Sequence, residues 1–242
     1  MKPQELNRSW TPQSIIRRIS APTEFGLVIF ICFGLTIWAS LRWLIRNVSA
    51  GIPTSAPTAS SSSAIQLNNN DILSLAVLKM VTLGIVFWIG RIRGWSLASF
   101  GFKLRWKSTG GGVLLFIAFL GIQRLLGFLT RNAFHSTVDF HRVSNLTIPF
   151  IILISIVNPV FEESIEVGYF FHALQQSGMW LTVLTSASFR ALLHMTMGIS
   201  GVIFMFAEGL LHGFVYWRWR QLWPLILAHG LQMLYSLLSQ MK

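Results

Sequence analysis

The chain has 242 residues, 53% of them hydrophobic and only 11% charged, less than half the roughly 25% charge of an ordinary soluble domain. That much apolar side chain cannot be hidden in a water-soluble protein of this length, whereas in a bilayer the lipid is itself the apolar solvent. A formal charge of +11 also fits nucleic-acid binders, but here the cations sit in short patches flanking apolar runs, the pattern that orients membrane helices, so the expected partners are membrane lipids and not nucleic acid.

Residues 1–23 are polar and basic, with Lys2, Arg8, Arg17 and Arg18. No small-residue cleavage pattern follows, so they are read as a cytoplasmic N-terminal segment. The first apolar run, Phe25 to Leu41, is uncharged and slightly short of the roughly 20 residues needed to span. Arg42 and Arg46 just beyond can snorkel, which gives a first transmembrane helix over 24–46. Its Cys32 is the only cysteine, which excludes an intramolecular disulfide and a thiolate metal cluster. Residues 47–70 are rich in Ser, Ala, Pro, Thr and Asn and read as a loop without a core.

The second run, Ile72 to Gly90, contains Lys79. The loop after it carries Arg91, Arg93, Lys103, Arg105 and Lys107, the densest basic patch in the chain, and is expected on the cytoplasmic side. The third run follows Gly110-Gly111-Gly112 and reaches Thr130, with Arg124 inside. Residues 131–146 are polar. Beyond them, breaks at Asn158-Pro159, Gln175 to Gly178, Met197-Gly198 and Arg218 to Gln221 divide the sequence into expected helices at 147–157, 160–175, 179–196, 199–217 and 222–240. The expected fold class is all-α: a polytopic transmembrane bundle of about eight helices over 71–242, with its functional core at about 147–240. Eight spans from a cytoplasmic N-terminus would leave Arg218 and Arg220 outside, against the charge rule.

Ionisable residues inside membrane helices are costly and point to function. Glu162, Glu163 and Glu166 put three carboxylates within five residues, and spacings of three and four share one helix face. Three such groups cannot all ionise cheaply in a buried site, which suits a general base or a metal ligand. Pro159 ahead of them also fits a plain interfacial helix start. Arg190 and His194 lie four apart, and Arg190 needs a counter-charge, for which the glutamate cluster is nearest in sequence. Glu208 and His212, also four apart, fit a pair internal to their helix. His229 lies mid-run after Pro224. Carboxylates and imidazoles on separate helices can converge on a cavity, for hydrolysis or for proton or ion relay in a small transporter.

The order of these residues resembles the CPBP family of intramembrane proteases, the prokaryotic relatives of the CAAX prenyl endopeptidase, also called the Abi family. The family pattern is EExxxRG, then FxxxH or RxxxH, then HxxxN or HxxxD. Glu162-Glu163 with Gly168 matches the first motif, Arg190-xxx-His194 looks like the second, and Leu222 to His229 is similar to the approach to the third. Leu97 to Lys107 resembles the basic segment that often precedes the core. Val167 stands where the family has arginine, and Met233 where it has Asn or Asp; methionine cannot donate to an oxyanion, and the adjacent Gln232 is a candidate substitute.

The resemblance implies a conical cavity in which Glu162, beside Glu163, activates water. His194 would hold that water, His229 would bind the oxyanion, and Arg190, Glu166 and Gln232 would support them. Glu163, His194 and His229 would be the ligands of a divalent metal such as zinc, if one is used. The implied substrate is a peptide or protein, lipidated or membrane-anchored, and the implied location a prokaryotic plasma membrane. A catalytically impaired relative, acting as a membrane binding or bacteriocin-immunity protein, is the alternative raised by Val167 and Met233.

Overall fold

The structure, a computed structural model, describes residues 20–49, 68–134 and 146–240. Most of the basic N-terminal segment, most of the Ser/Pro-rich loop and most of 131–146 lie outside them. The described residues are all-helical. In chain order the helices are α1 (Ala21–Ser49), α2 (Asn69–Ile92), α3 (Trp106–Phe134), α4 (Ile148–Ala173), α5 (Met179–Leu193), α6 (Gly198–Trp219) and α7 (Trp223–Ser239). Five stretches are long and apolar enough to cross a bilayer: Ala21–Arg46, Asn69–Ile92, Trp106–Leu129, Ile148–Ala173 and Met195–Trp219. The protein is therefore an integral membrane protein.

The described residues form seven helices, one fewer than the expected total of about eight. The segments 147–157 and 160–175 are one helix that runs through Asn158 and Pro159. Proline removes one backbone donor and crowds the carbonyl four residues back. In an apolar surrounding, breaking into a loop would strand several backbone groups where continuing strands one. The helix then widens to π-helical winding over Glu163–Tyr169 before a last α turn at Phe170–Ala173. The Gly110 to Gly112 triplet lies inside α3, not ahead of it: a Cβ on Gly112 would come within 2.9 Å of the Pro224 carbonyl oxygen, so glycine there lets α3 and α7 approach.

Tight helix crossings bring the polar residues together. On α6, a Cβ on Gly209 would sit 2.7 Å from the Ala187 Cα, and one on Gly213 3.1 Å from Val183 Cγ1. This small-residue spacing lets backbones close up where no water drives association. It brings Arg190 of α5 beside Glu208 of α6. On α7, a Cβ on Gly230 would lie 2.8 Å from the Ser155 carbonyl oxygen of α4, which sets His229 against the glutamates.

Contacts between loops fix which helix ends lie together. Gly101, at φ 81°, accepts from the Leu222 amide at 3.2 Å. Ser108 Oγ donates to Gln221 Oε1 at 2.5 Å, and Trp223 Nε1 donates to Thr109 Oγ1 at 3.0 Å. Arg93 at the end of α2 pairs with Glu24 at the head of α1. At the other end of the bundle, the Thr147 amide donates to Asn69 Oδ1 at 3.1 Å. Arg218 and Arg220 thus share an end with Arg91, Arg93, Lys103, Arg105 and Lys107. The conflict with the charge rule disappears once α4 is a single crossing.

Candidate active site

Glu163 is the hub. It lies in the π-helical part of α4 and is fully buried. Its Oε1 accepts from Arg190 Nη2 at 2.5 Å and lies 2.8 Å from His229 Nδ1. Its Oε2 lies 2.9 Å from His212 Nδ1. A carboxylate only accepts, so each imidazole donates from Nδ1, and Nε2 of each points away from Glu163. Arg190, 1% exposed, bridges three helices: Nη1 donates to Glu208 Oε1 at 3.0 Å, and Nε stands 3.0 Å from Glu166 Oε2 as an ion pair. Burying such charges is expensive, and the guanidinium offsets it by facing three carboxylates at once.

Glu162, next in sequence to the hub, has a different environment. Its side chain is 12% exposed. Its Oε1 accepts from Lys79 Nζ at 3.2 Å, and Lys79 also donates to Asn158 Oδ1. Its Oε2 lies 3.8 Å from His229 Nε2. His194, just past the end of α5, donates from Nδ1 to the Arg190 carbonyl at 2.8 Å, which leaves its Nε2 as an acceptor.

Two cavities meet at Glu162 and His194. One, of about 250 Å³, is walled by Glu162, His194, His229, Gln232 and Met233 and continues to Ser236 and Gln240, near the end opposite the basic loops. The other is an apolar crevice of about 820 Å³ beside α1 and α2, whose walls include Phe30, Leu35, Trp38 and Leu78 and which also reaches Lys79. His229 is six residues into α7 and Arg190 eleven into α5. At 1.5 Å per residue they lie about 9 and 16 Å from the basic end, inside a hydrocarbon core about 30 Å thick.

The structure brings Glu162, Glu163, Glu166, Arg190 and His229 into one cluster, with His194 across the cavity. Gln232 reaches Glu208 Oε2 only at a long 3.4 Å, and its Oε1 is buried with no hydrogen-bond partner, as are both oxygens of Glu166 and His212 Nε2. Arg190 stands on the inner glutamates from α5, while Val167, at the position where the family has its arginine, is packed in the core.

The expected metal set of Glu163, His194 and His229 is not what converges. The donors that approach within 4.8 Å of one another belong to Glu163, Glu208 and His229. Arg190 is hydrogen-bonded to both of those carboxylates, so a divalent ion among them would sit against a fixed cation, and the donor set does not fit one. Glu208 and His212 are also not a pair within their helix: Glu208 takes Arg190 and His212 takes Glu163. Lys79 and Asn158 belong to the site as well. A lysine inside an apolar run was their sequence signal, because it demands a carboxylate partner across the bundle.

No curated protein and no solved structure gives a significant match to the chain. Residues 144–234, which hold every carboxylate of the cluster and both cavity-lining histidines, match the family Rce1-like: Type II CAAX prenyl endopeptidase Rce1-like, so this stretch of the chain is similar to the CAAX-protease family that its motifs resemble.

Proposed function

We propose that the protein is an intramembrane endopeptidase in which Glu162 activates water to hydrolyse a peptide bond of a membrane-associated substrate. The observation that carries this reading is the division of labour between adjacent glutamates. Both oxygens of Glu163 are occupied, whereas Glu162 borders two cavities within 3.8 Å of His229.

A water between Glu162 and His194 Nε2 meets two acceptors, which orients its lone pair toward a substrate carbonyl. Glu162 takes a proton from that water as its oxygen bonds the carbonyl carbon. The carbonyl oxygen gains the negative charge and collapses back as the C–N bond breaks, and the proton on Glu162 passes to the leaving amine. His229, aligned through Nδ1 by Glu163, turns Nε2 toward the developing oxyanion; protonated, it donates there. The Gln232 amide, in the same wall, takes over the donor role lost with Met233. No step passes through a metal.

The apolar crevice supplies a lipid-side path for a lipidated or membrane-anchored segment, and the smaller cavity a path for the polar tail. By the charge rule the basic end is cytoplasmic, in a prokaryotic plasma membrane. Met233 supports a second reading, a relative with lost activity that binds but does not cut. The test is cleavage of peptide precursors and membrane-anchored proteins by the chain in liposomes. Glu162→Ala is expected to abolish cleavage while the protein stays folded and inserted. Full activity in that variant ends the protease reading, and failure of the natural chain on every substrate class favours the non-catalytic one.

A further inference from the structure

A third concavity lies away from the glutamate cluster, at the basic end, between α3 and α6. It is the largest of the three, about 1010 Å³, and the proposed hydrolysis makes no use of it. Its rim carries Arg105, Trp106, Lys107, Trp219 and Gln221, and its trough Leu114, Leu115, Ala118 and Val215. Trp106 is 93% exposed, as an indole is where headgroups begin. Gly111 also lines it, and a Cβ there would meet nothing within 4 Å.

Length, polarity and charge agree on one occupant. From Trp106 to Ala118 the helix rises through twelve residue steps, about 18 Å, against about 15 Å for one leaflet of a 30 Å hydrocarbon core. The groove is therefore one leaflet deep, cationic and amphipathic at the top and apolar below. Among the described residues no carboxylate pairs with Arg105 or Lys107, and Glu24, at the same end, is taken by Arg93. Lys and Arg near an anionic headgroup contribute strongly to lipid affinity.

We propose that this groove is a binding site for one acidic glycerophospholipid of the leaflet at the basic end. The phosphate lies against Arg105 and Lys107, Trp106 and Trp219 flank the glycerol, and an acyl chain follows the trough over Gly111. The proposal is independent of whether the protein cleaves peptides, because it is read by binding alone.

The test is native mass spectrometry of the full chain released from detergent with equal phosphatidylglycerol and phosphatidylcholine. The natural chain is expected to retain one phosphatidylglycerol in preference. Arg105→Gln with Lys107→Gln is expected to reduce that preference roughly tenfold or more. Gly111→Phe, whose ring enters open space, is expected to exclude the lipid while the melting temperature holds. Arg91→Gln with Lys103→Gln, which removes two cations of the same end outside the groove, is expected to leave the preference intact. Equal retention of both lipids, an equal loss in the Arg91/Lys103 variant, or displacement by soluble glycerol phosphate would each overturn the assignment. So would a dimer that Gly111→Phe converts to monomer, because the groove would then belong to a second copy.

Discussion

Glu162 and Glu163 are adjacent carboxylates in opposite circumstances, and their substitutions should separate accordingly. Glu162→Gln keeps the shape, removes the proposed base and is expected to lower cleavage by about 10²- to 10⁴-fold, with an unchanged melting curve in detergent. Arg190→Leu removes the cation that three buried carboxylates share. Breaking a buried ion pair from one side costs about 3–5 kcal/mol, so this variant is expected to unfold at much lower temperature or fail to accumulate. Lys79 lies between these cases, because it touches Glu162 and Asn158 but not the inner cluster. Lys79→Met should lower kcat with little change in KM, and Lys79→Arg should recover part of it; kinetics on a reconstituted substrate separate the two parameters. Val167→Arg would bury a second cation beside a site that already has Arg190. It is expected to destabilise the protein without raising cleavage.

At the scale of elements, the site is set by close helix crossings and by one change of winding. Gly209 and Gly213 let α6 touch α5, and Gly230 lets α7 touch α4. Gly209→Val places methyl groups where the Ala187 backbone stands. Overpacking of this kind costs about 1–3 kcal/mol; it should also push Glu208 away from Arg190, which thermal melts and the loss of cleavage together would register. The π-helical turn after Pro159 matters in the same way. A π segment is a common device at functional sites, and here it lies at the hub, sending Glu163 and Glu166 toward Arg190 while Glu162 borders the cavities.

At the scale of the molecule, the alternating direction of the helices from α3 to α7 puts residues 103 and 240 at opposite ends of the bundle. In a Cys32→Ser background, Lys103→Cys and Gln240→Cys should react with an impermeant maleimide from opposite sides of the membrane. An even number of spans between the N-terminus and the last helix would change that pattern. The charge rule adds that Lys103→Cys is the one protected in intact cells. The proposed lipid groove, at the same basic end, is then a cytoplasmic-leaflet site.

The sequence by itself determined the class of the protein. Its apolar excess demanded a bilayer, and its ionisable residues within apolar runs marked Glu162, Glu163, Arg190, His194 and His229, because a charge in lipid is not retained without a partner. Their spacing was enough to identify the family resemblance. Partners across helices were not legible. Periodicity tells which residues share a face but not which faces meet, so Glu208 and His212 read as a pair within one helix although Arg190 and Glu163 claim them from others. Lys79 stood out as a charge inside an apolar run, but its partners Glu162 and Asn158 were not legible for the same reason. Nor could local signals settle the helix count: Asn-Pro breaks a helix in water, where a loop's backbone is solvated, and passes through one in an apolar bundle, where continuing leaves fewer groups unpaired. The tertiary structure alone decided which glutamate is enclosed and which is open, because that depends on the helices packed around each of them.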